Sequence, residues 1–428
     1  MGLYTLLVAL FPPPGPCLHA PPRPAYVVLF MPPQLACHRA VLTAALAPCL
    51  TSCLHASQHC ARLIYTKMQL GEKDSALTFE TPESGLQFLA NRFAREANML
   101  LALEVTAGGG KTNVIIYMAH QLRLLEVPFK VATYNVKIKE ELIARGLHAD
   151  EVMSFHSWGF KVLTGWIEAK LTEDAVMIGS KAKAGHMSSS TVRIKPTVVS
   201  IKVRLLVSFY FSDEPRIEAA ALVALYRPFV QALVDQARTH NLGAPGFPAV
   251  YCTSALDGYV SKYKIATKLV SAWSSVLTLA QKQLVDRKLG EGADARLKFG
   301  VHVAGEVLSL CVRTATSLLV NGKSALLNEK NGQSYDLPVI DYPDMVWLVN
   351  VLQLDPGKYN LMLDEAQDVS DAEIAMIQTA STGMRLAVLK NVTQAVYQFR
   401  GVEPVRAPPH RHPLARSCSA VFALYADA

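Results

Sequence analysis

The chain has 428 residues, of which 51% are hydrophobic and 18% are charged, and its formal net charge is +7. This composition supports a large buried core and excludes a chain that is disordered throughout. No run of about eighteen apolar residues is free of proline and charge, so no membrane-spanning helix is expected. The modest positive charge suits a polyanionic partner, but a solvated basic surface would give the same value.

Composition also predicts the domain organisation. Residues 1–75 are rich in Pro, Cys, His and Ala and have no regular period, so we expect a poorly ordered extension outside the fold. The first acidic residue is Glu72, and this acid-poor start is typical of an organellar transit peptide or of a wrongly assigned gene start. Residues 406–428 form an irregular tail. The cysteines follow no disulfide framework of a secreted domain, which favours an intracellular, reducing compartment.

The globular region begins and ends with strand–loop–helix repeats, which predict a doubly wound parallel sheet in an α/β domain. The predicted strands are Met99–Val105, Phe129–Tyr134, Tyr359–Leu363 and Leu386–Leu389. The predicted helices are Asn113–Leu125, Lys137–Arg145 and a third that opens with a capping box of Ser370 and Glu373. This α/β domain therefore comprises residues 76–165 and 341–405.

Residues 166–340 are predicted to form an inserted, mainly helical subdomain. Its longest apolar periodicities lie in Ala219–Thr239 and Ile265–Arg287. A stretch from Ala175 to Ser212 carries basic residues and no acidic ones; these are Lys181, Lys183, Arg193, Lys195, Lys202 and Arg204. The stretch could follow a phosphate backbone, or it could be a solvated loop and a protected strand edge.

A glycine-rich loop joins the first predicted strand to its helix. It consists of Ala107, Gly108, Gly109, Gly110, Lys111 and Thr112. Glycines let backbone N–H groups surround a phosphate, Lys111 would neutralise the β- and γ-phosphates, and the Thr112 hydroxyl would bind Mg²⁺. The alternative is an ordinary glycine-rich turn. The usual motif has Gly or Ala where this chain has Val105.

Two adjacent acids follow the predicted strand Tyr359–Leu363. Asp364, at the end of a buried strand, is suited to bind the same Mg²⁺ as Thr112, and Glu365 beside it could activate the attacking water. The alternative is an acidic helix N-terminus, which the helix dipole also favours. Together with the upstream GKT sequence, the acid pair favours a nucleotide site.

The sequence resembles the UvrD-like superfamily 1 DNA helicases, in the branch related to the F-box DNA helicase. LDEAQD and TQAVYQFRG (Thr393–Gly401) are similar to motifs II and III, and VATYNVKIKEEL resembles motif Ia. SFHSWG (Ser154–Gly159) resembles the motif that contacts DNA, and DYPDMVWL (Asp341–Leu348) resembles a segment that precedes motif II. The motifs occur in the family's order over residues 78–403. The resemblance implies a RecA-like P-loop NTPase sheet with an inserted, mainly helical subdomain.

The resemblance also implies the role of individual residues. Asp364, Glu365 and Gln394 would serve catalysis, with Gln394 sensing the γ-phosphate, and Thr112 and Asp364 would bind Mg²⁺. Gln87 is a candidate for reading adenine, beside the ATP-binding loop 107–112. The residues implied in binding single-stranded DNA are Tyr134, Asn135, His156, Phe399 and Arg400. Phe399 would stack on a base, although core packing is the alternative for Tyr134, His156 and Phe399.

The implied function is that of an ATP-dependent DNA helicase in the nucleus, the nucleoid or an organelle. Three features depart from the family: Lys390–Asn391 replaces Gly-Asp in motif III, Val136 replaces a common Lys, and the sequence ends at Ala428, before a second motor domain. We therefore expect nucleotide binding with weak hydrolysis and no unwinding by this chain alone. The alternative is a truncated or degenerate module that binds ATP and DNA. An unrelated P-loop kinase or GTPase would explain GKT but neither DEAQD nor QAVYQFRG.

Overall fold

A computed structural model of the chain describes residues 26–30, 64–65, 82–97, 99–104, 111–182 and 194–390. The chain divides into two compact units, which are described separately. The sheet unit is drawn from Met1–Phe155, Gly357–Val369 and Ile377–Ala428, and the helical unit is His156–Pro356 with Ser370–Met376. The boundaries expected from sequence, at residues 165 and 340, differ from these.

The described strands are named in chain order. They are β1 (Tyr26–Phe30), β2 (Ile64–Tyr65), β3 (Leu100–Glu104), β4 (Phe129–Thr133), β5 (Val152–Ser154), β6 (Thr197–Val198), β7 (Ala325–Asn328), β8 (Gln333–Asp336), β9 (Val339–Ile340), β10 (Asn360–Leu363) and β11 (Leu386–Lys390).

The described helices are named in the same way. They are α1 (Pro82–Arg95), α2 (Lys111–Leu124), α3 (Val136–Ala144), α4 (Phe155–Ala182), α5 (Lys202–Tyr210), α6 (Arg216–Thr239), α7 (Thr253–Lys262), α8 (Ala266–Ser275), α9 (Leu279–Leu289), α10 (Ala293–Thr316), α11 (Asp344–Val351) and α12 (Asp371–Ser381).

A seven-stranded sheet of order β2-β1-β3-β11-β10-β4-β5 forms the centre of the sheet unit. Neighbouring strands are parallel except β1 and β2, so the predicted α/β class with a parallel sheet is confirmed. The whole of β10 is buried, as expected for the apolar sequence NLML in the middle of a parallel sheet. Apolar residues of α2 cover the sheet at helical spacing, among them Ile115, Met118 and Leu122.

The extension expected outside the fold contributes two segments to this sheet. Tyr26–Phe30 pairs in parallel with β3, Val27 lying beside Leu101, and Ile64–Tyr65 pairs with β1 at the edge. The sequence YVVLF has the β-branched and aromatic residues that favour strands, and prolines bound it on both sides. Composition alone hid this strand because the prolines around it dominate the segment.

The helical unit is built around α6 and α10. Gly300 of α10 allows their close approach, because a β-carbon there would lie 2.9 Å from the Phe229 ring and 3.0 Å from the Tyr226 ring. Among the described helices, α6 has the length and apolar content to cross a membrane, with a mean hydropathy of 1.4 in its most apolar window. Half of that window is buried inside the protein, so a core helix accounts for the same pattern.

One sequence-based expectation for the helical unit needs correction, and one periodic stretch is divided into two elements. The periodic stretch Ile265–Arg287 forms two helices, α8 and α9, because Thr278 starts a new helix with a capping box to Gln281. Lys202, which belonged to the predicted basic stretch, is fully buried and pairs with Asp344 at 2.6 Å. It is therefore unable to contact a phosphate backbone. Lys181, Lys183 and Arg193 have side chains outside the described residues.

Candidate functional site

The predicted motif residues follow the carboxyl ends of strands in the parallel sheet. β4 leads into Tyr134, β5 leads into α4, and β10 leads into Asp364. The carboxyl ends of parallel strands share one edge, and ligands of such sheets bind there. Loop residues 105–110, which follow β3, lie outside the described residues. Lys111 and Thr112 form the first two positions of α2.

Lys111 and Glu365 meet in a direct ion pair, although they are 254 residues apart in sequence. The Lys111 side chain is 10% exposed and that of Glu365 is 26% exposed, so the pair is partly shielded from water. Shielding strengthens the attraction between opposite charges. The fold thus brings together the basic and the acidic residue that the sequence analysis assigned to one nucleotide site.

Asp364 is a buried carboxylate at the end of β10. It is 3% exposed, and its Oδ1 accepts a hydrogen bond from the backbone N–H of Glu365 at 2.9 Å. Burial raises the pKa of Asp364 to about 6, and the adjacent negative charge of Glu365 adds to this, while Lys111 opposes it. A buried acid with so little compensation is well suited to a cation ligand.

The backbone of Glu365 is left-handed, with φ of +52° and ψ of +45°. A non-glycine residue in this region stores backbone strain, which is typical of functional sites. A 3₁₀ helix at Ala366–Asp368 follows, closed by a 3.0 Å hydrogen bond from the Asp368 N–H to the Glu365 carbonyl. Within this turn, Gln367 Nε2 donates to Glu365 Oε2 at 2.5 Å.

The donor set fits Mg²⁺ held jointly with a nucleotide. Magnesium usually takes one or two carboxylates and completes its shell with phosphate oxygens and water. Asp364 would supply one buried carboxylate, and Thr112, a partly buried residue next to Lys111, would supply a hydroxyl. In the described part of the chain no group of three or more His, Cys, Asp and Glu side chains could form a complete protein cage.

Tyr134 and Asn135 lie directly after β4 and begin the approach to α3. Asn135 is the N-cap of α3, and its side-chain oxygen accepts from the Lys137 N–H at 2.9 Å. The cap gives Asn135 a structural role that the sequence analysis did not assign. Val136, the first residue of α3, is 58% exposed.

His156 lies in the first turn of α4, within the helical unit. Its ring makes a T-shaped contact with the ring of Tyr342, with centroids 6.1 Å apart and an interplanar angle of 86°. Burial lowers the pKa of His156, which favours the neutral imidazole. Tyr342 is 55% exposed. In the sequence, the only signal for Tyr342 is its place in DYPDMVWL, as an aromatic residue between two acids.

Hydrogen bonds and ion pairs between buried charged residues stabilise the turn that contains Tyr342. Asp341 Oδ1 accepts from the Asp344 N–H and Asp344 Oδ2 accepts from the Asp341 N–H, each at 3.1 Å. Arg238 contacts Asp341 at 2.7 Å and Asp344 at 3.0 Å, and Lys202 completes the cluster. The turn therefore presents the Tyr342 ring with little backbone freedom.

Several predicted site residues lie outside the described residues, or only their backbone is described. Gln87 belongs to α1, where its backbone alone is described. The remaining ones are Ala107, Gly108, Gly109, Gly110, Gln394, Phe399 and Arg400. No family model and no curated protein sequence matches this chain.

Proposed function

We propose that this chain is an ATP-hydrolysing motor domain that binds single-stranded DNA, with a RecA-like P-loop sheet of the kind found in UvrD-like helicases. The observation that carries the proposal is the ion pair of Lys111 with Glu365 beside buried Asp364. A basic residue at a helix start and two acids at the end of a central strand are the groups that nucleotide hydrolysis requires. The motif order in the sequence adds support.

The chemistry assigned to these residues is nucleophilic attack by water on the γ-phosphate. Lys111 turns from Glu365 to the phosphate oxygens and neutralises their charge. Mg²⁺ held by Thr112 and Asp364 supplies further charge neutralisation when it is bound. Glu365 accepts a proton from the water whose oxygen bonds to the γ-phosphorus, and the bond to the bridging oxygen breaks, so that ADP and phosphate are formed.

The proposed single-strand site includes the aromatic pair of His156 and Tyr342. A neutral imidazole next to an exposed tyrosine ring is a surface on which a nucleobase can stack without a charge penalty. Stacking tolerates any base sequence, as a motor that moves along DNA requires. Tyr342 is thus a further proposed DNA-binding residue, within the helical unit.

The test is ATP hydrolysis by the full chain, with and without a single-stranded oligonucleotide, together with binding of a fluorescent ATP analogue. Lys111→Ala is the test variant. Lys298→Ala is the matched control, because Lys298 is an exposed lysine of α10 that belongs to none of the predicted motifs. We expect DNA-stimulated hydrolysis that Lys111→Ala abolishes and Lys298→Ala retains.

Other results have definite meanings. Nucleotide binding that Lys111→Ala removes, without hydrolysis in the wild type, would identify a binding module. A wild-type chain that binds no nucleotide would overturn the proposal.

A further inference from the structure

The hydrogen bonds to the Glu365 side chain come from two different donors. Among the described residues, Lys111 Nζ and Gln367 Nε2 both bond to Oε2 of Glu365. One donor is a cation at the start of α2, and the other is a neutral amide two residues along the same turn. A bound nucleotide would affect the two donors differently. Its phosphates would attract the charged Lys111 away from Glu365, but they would not attract the neutral amide of Gln367.

We propose that Gln367 is a positioning residue that keeps the Glu365 carboxylate in place when Lys111 moves to the nucleotide. The proposal rests on the ATPase function proposed above. With Oε2 held by the amide, the other carboxylate oxygen keeps a fixed direction from which it accepts the proton of water. Gln367 takes no part in the proposed hydrolysis itself; it orients Glu365, the base of that reaction.

Glu365 needs such a partner because of its backbone. Glu365 has a left-handed backbone at the end of β10, and its side chain is 26% exposed. Glutamate has several rotamers, and an exposed carboxylate on a strained turn would sample them. A single neutral hydrogen bond that survives the departure of Lys111 limits this freedom.

Gln367 itself is well placed to restrain another group. It is 5% exposed, and the hydrogen bond from the Asp368 N–H to the Glu365 carbonyl closes the turn that carries it. A buried side chain on a closed turn has lost most of its rotamer freedom on folding. Holding Glu365 therefore costs little additional entropy.

The test compares Gln367→Met with Gln378→Met in the full chain. Methionine has nearly the volume of glutamine but cannot donate a hydrogen bond. Gln378 is the matched control, because its side-chain nitrogen is buried without a hydrogen-bond partner in the part of the chain that the structure describes.

We expect Gln367→Met to lower kcat by about 10- to 100-fold, as the loss of a hydrogen bond to a charged group predicts. The KM for ATP should stay within about twofold of the wild type, and Gln378→Met should leave kcat nearly unchanged.

A second measurement does not need turnover. Retention of ADP with aluminium fluoride, which mimics the transferred phosphoryl group, should weaken in Gln367→Met, while retention of ADP alone should not. Equal effects of both variants on kcat and on this retention would overturn the inference and leave the proposed function intact. A parallel loss of ADP binding would also overturn it, by showing a purely structural role. A wild-type chain that binds no nucleotide would overturn the proposed function and this inference with it.

Discussion

Gly159 and Met345 approach so closely that a β-carbon added to Gly159 would lie 1.8 Å from the carbonyl oxygen of Met345. The first turn of α4 therefore rests directly on the main chain at the start of α11. His156 belongs to this turn of α4, and Tyr342 precedes α11. The absence of a side chain at Gly159 thus permits the approach of the two segments that carry these aromatic rings.

Gly159→Ala is expected to destabilise the protein by about 3 kcal/mol or more, because the added methyl group meets a backbone atom that cannot rotate away. Gly165→Ala in the same helix is the control. A β-carbon there has no atom within 4 Å, so the change should stabilise the helix by about 0.5–1 kcal/mol. Urea denaturation of both variants measures the difference. Similar stabilities for the two would contradict the packing described here.

Asp344→Asn tests the buried charge cluster of the helical unit. Although burial opposes ionisation, Lys202 and Arg238 lower the pKa of Asp344 below its ordinary value, so the carboxylate is charged. Removing its charge leaves the fully buried Lys202 without its ionic partner, which should cost about 3–5 kcal/mol of folding free energy. Chemical denaturation checks this value.

The control for this cluster is Asp336→Asn, at an exposed position at the end of β8. It should change the free energy of unfolding by less than about 0.5 kcal/mol. A loss in Asp344→Asn no larger than that of the control would show that Lys202 is paired or neutral by other means.

Tyr342→Ala should weaken binding of an oligothymidine by about 5- to 100-fold, the value of one base–aromatic stack. Stacking involves no counterion release, so the slope of log affinity against log salt should stay at the wild-type value. Fluorescence anisotropy at several salt concentrations measures both quantities. Tyr251→Ala is the control, because Tyr251 is also 55% exposed and lies in the same unit. Equal affinities for the two variants would remove Tyr342 from the site.

Asp364 should make stability depend on pH. Its pKa of about 6 in the folded protein lies above the ordinary value of 3.8, so the folded state binds more protons than the unfolded state between these values. The free energy of unfolding should therefore fall as pH rises from about 4 to above 6, by up to about 3 kcal/mol. Asp364→Asn removes this contribution. Denaturation of both proteins between pH 4 and 7.5 gives the difference, and a difference that does not vary with pH would refute the assignment.

The central strands and their helices could be predicted from sequence because their signals are local. β10 and β11 match short apolar runs, and Gly146, with φ of +103°, ends the region of α3 as expected. The capping box also forms: Glu373 N–H donates to Ser370 Oγ at 3.3 Å, and Ser370 N–H donates to Glu373 Oε2 at 2.7 Å. Each of these depends on residues a few positions apart.

Other features depend on contacts between distant residues, and the sequence does not display them. In the sequence Lys202 resembles a surface lysine, because its ionic partner Asp344 lies 142 residues later. The proposed role of Gln367 depends on the left-handed backbone of Glu365, a conformation that a glutamate in the sequence does not predict. The division of α8 from α9 did have a signal, the Thr278–Gln281 capping pattern, which the apolar periodicity obscured.

The sheet register has a consequence for the order in which the chain folds during synthesis. Val131 of β4 lies beside Met362 of β10, so the sheet is incomplete until the ribosome has made everything between them. Nearly all of the helical unit, from His156 to Pro356, is one continuous stretch that is synthesised after β4 and before β10. Closing a long loop costs less entropy once the intervening chain is compact. The helical unit is therefore positioned to fold early and to bring β4 and β10 within reach of each other, so that the sheet unit is the last part of the protein to become native.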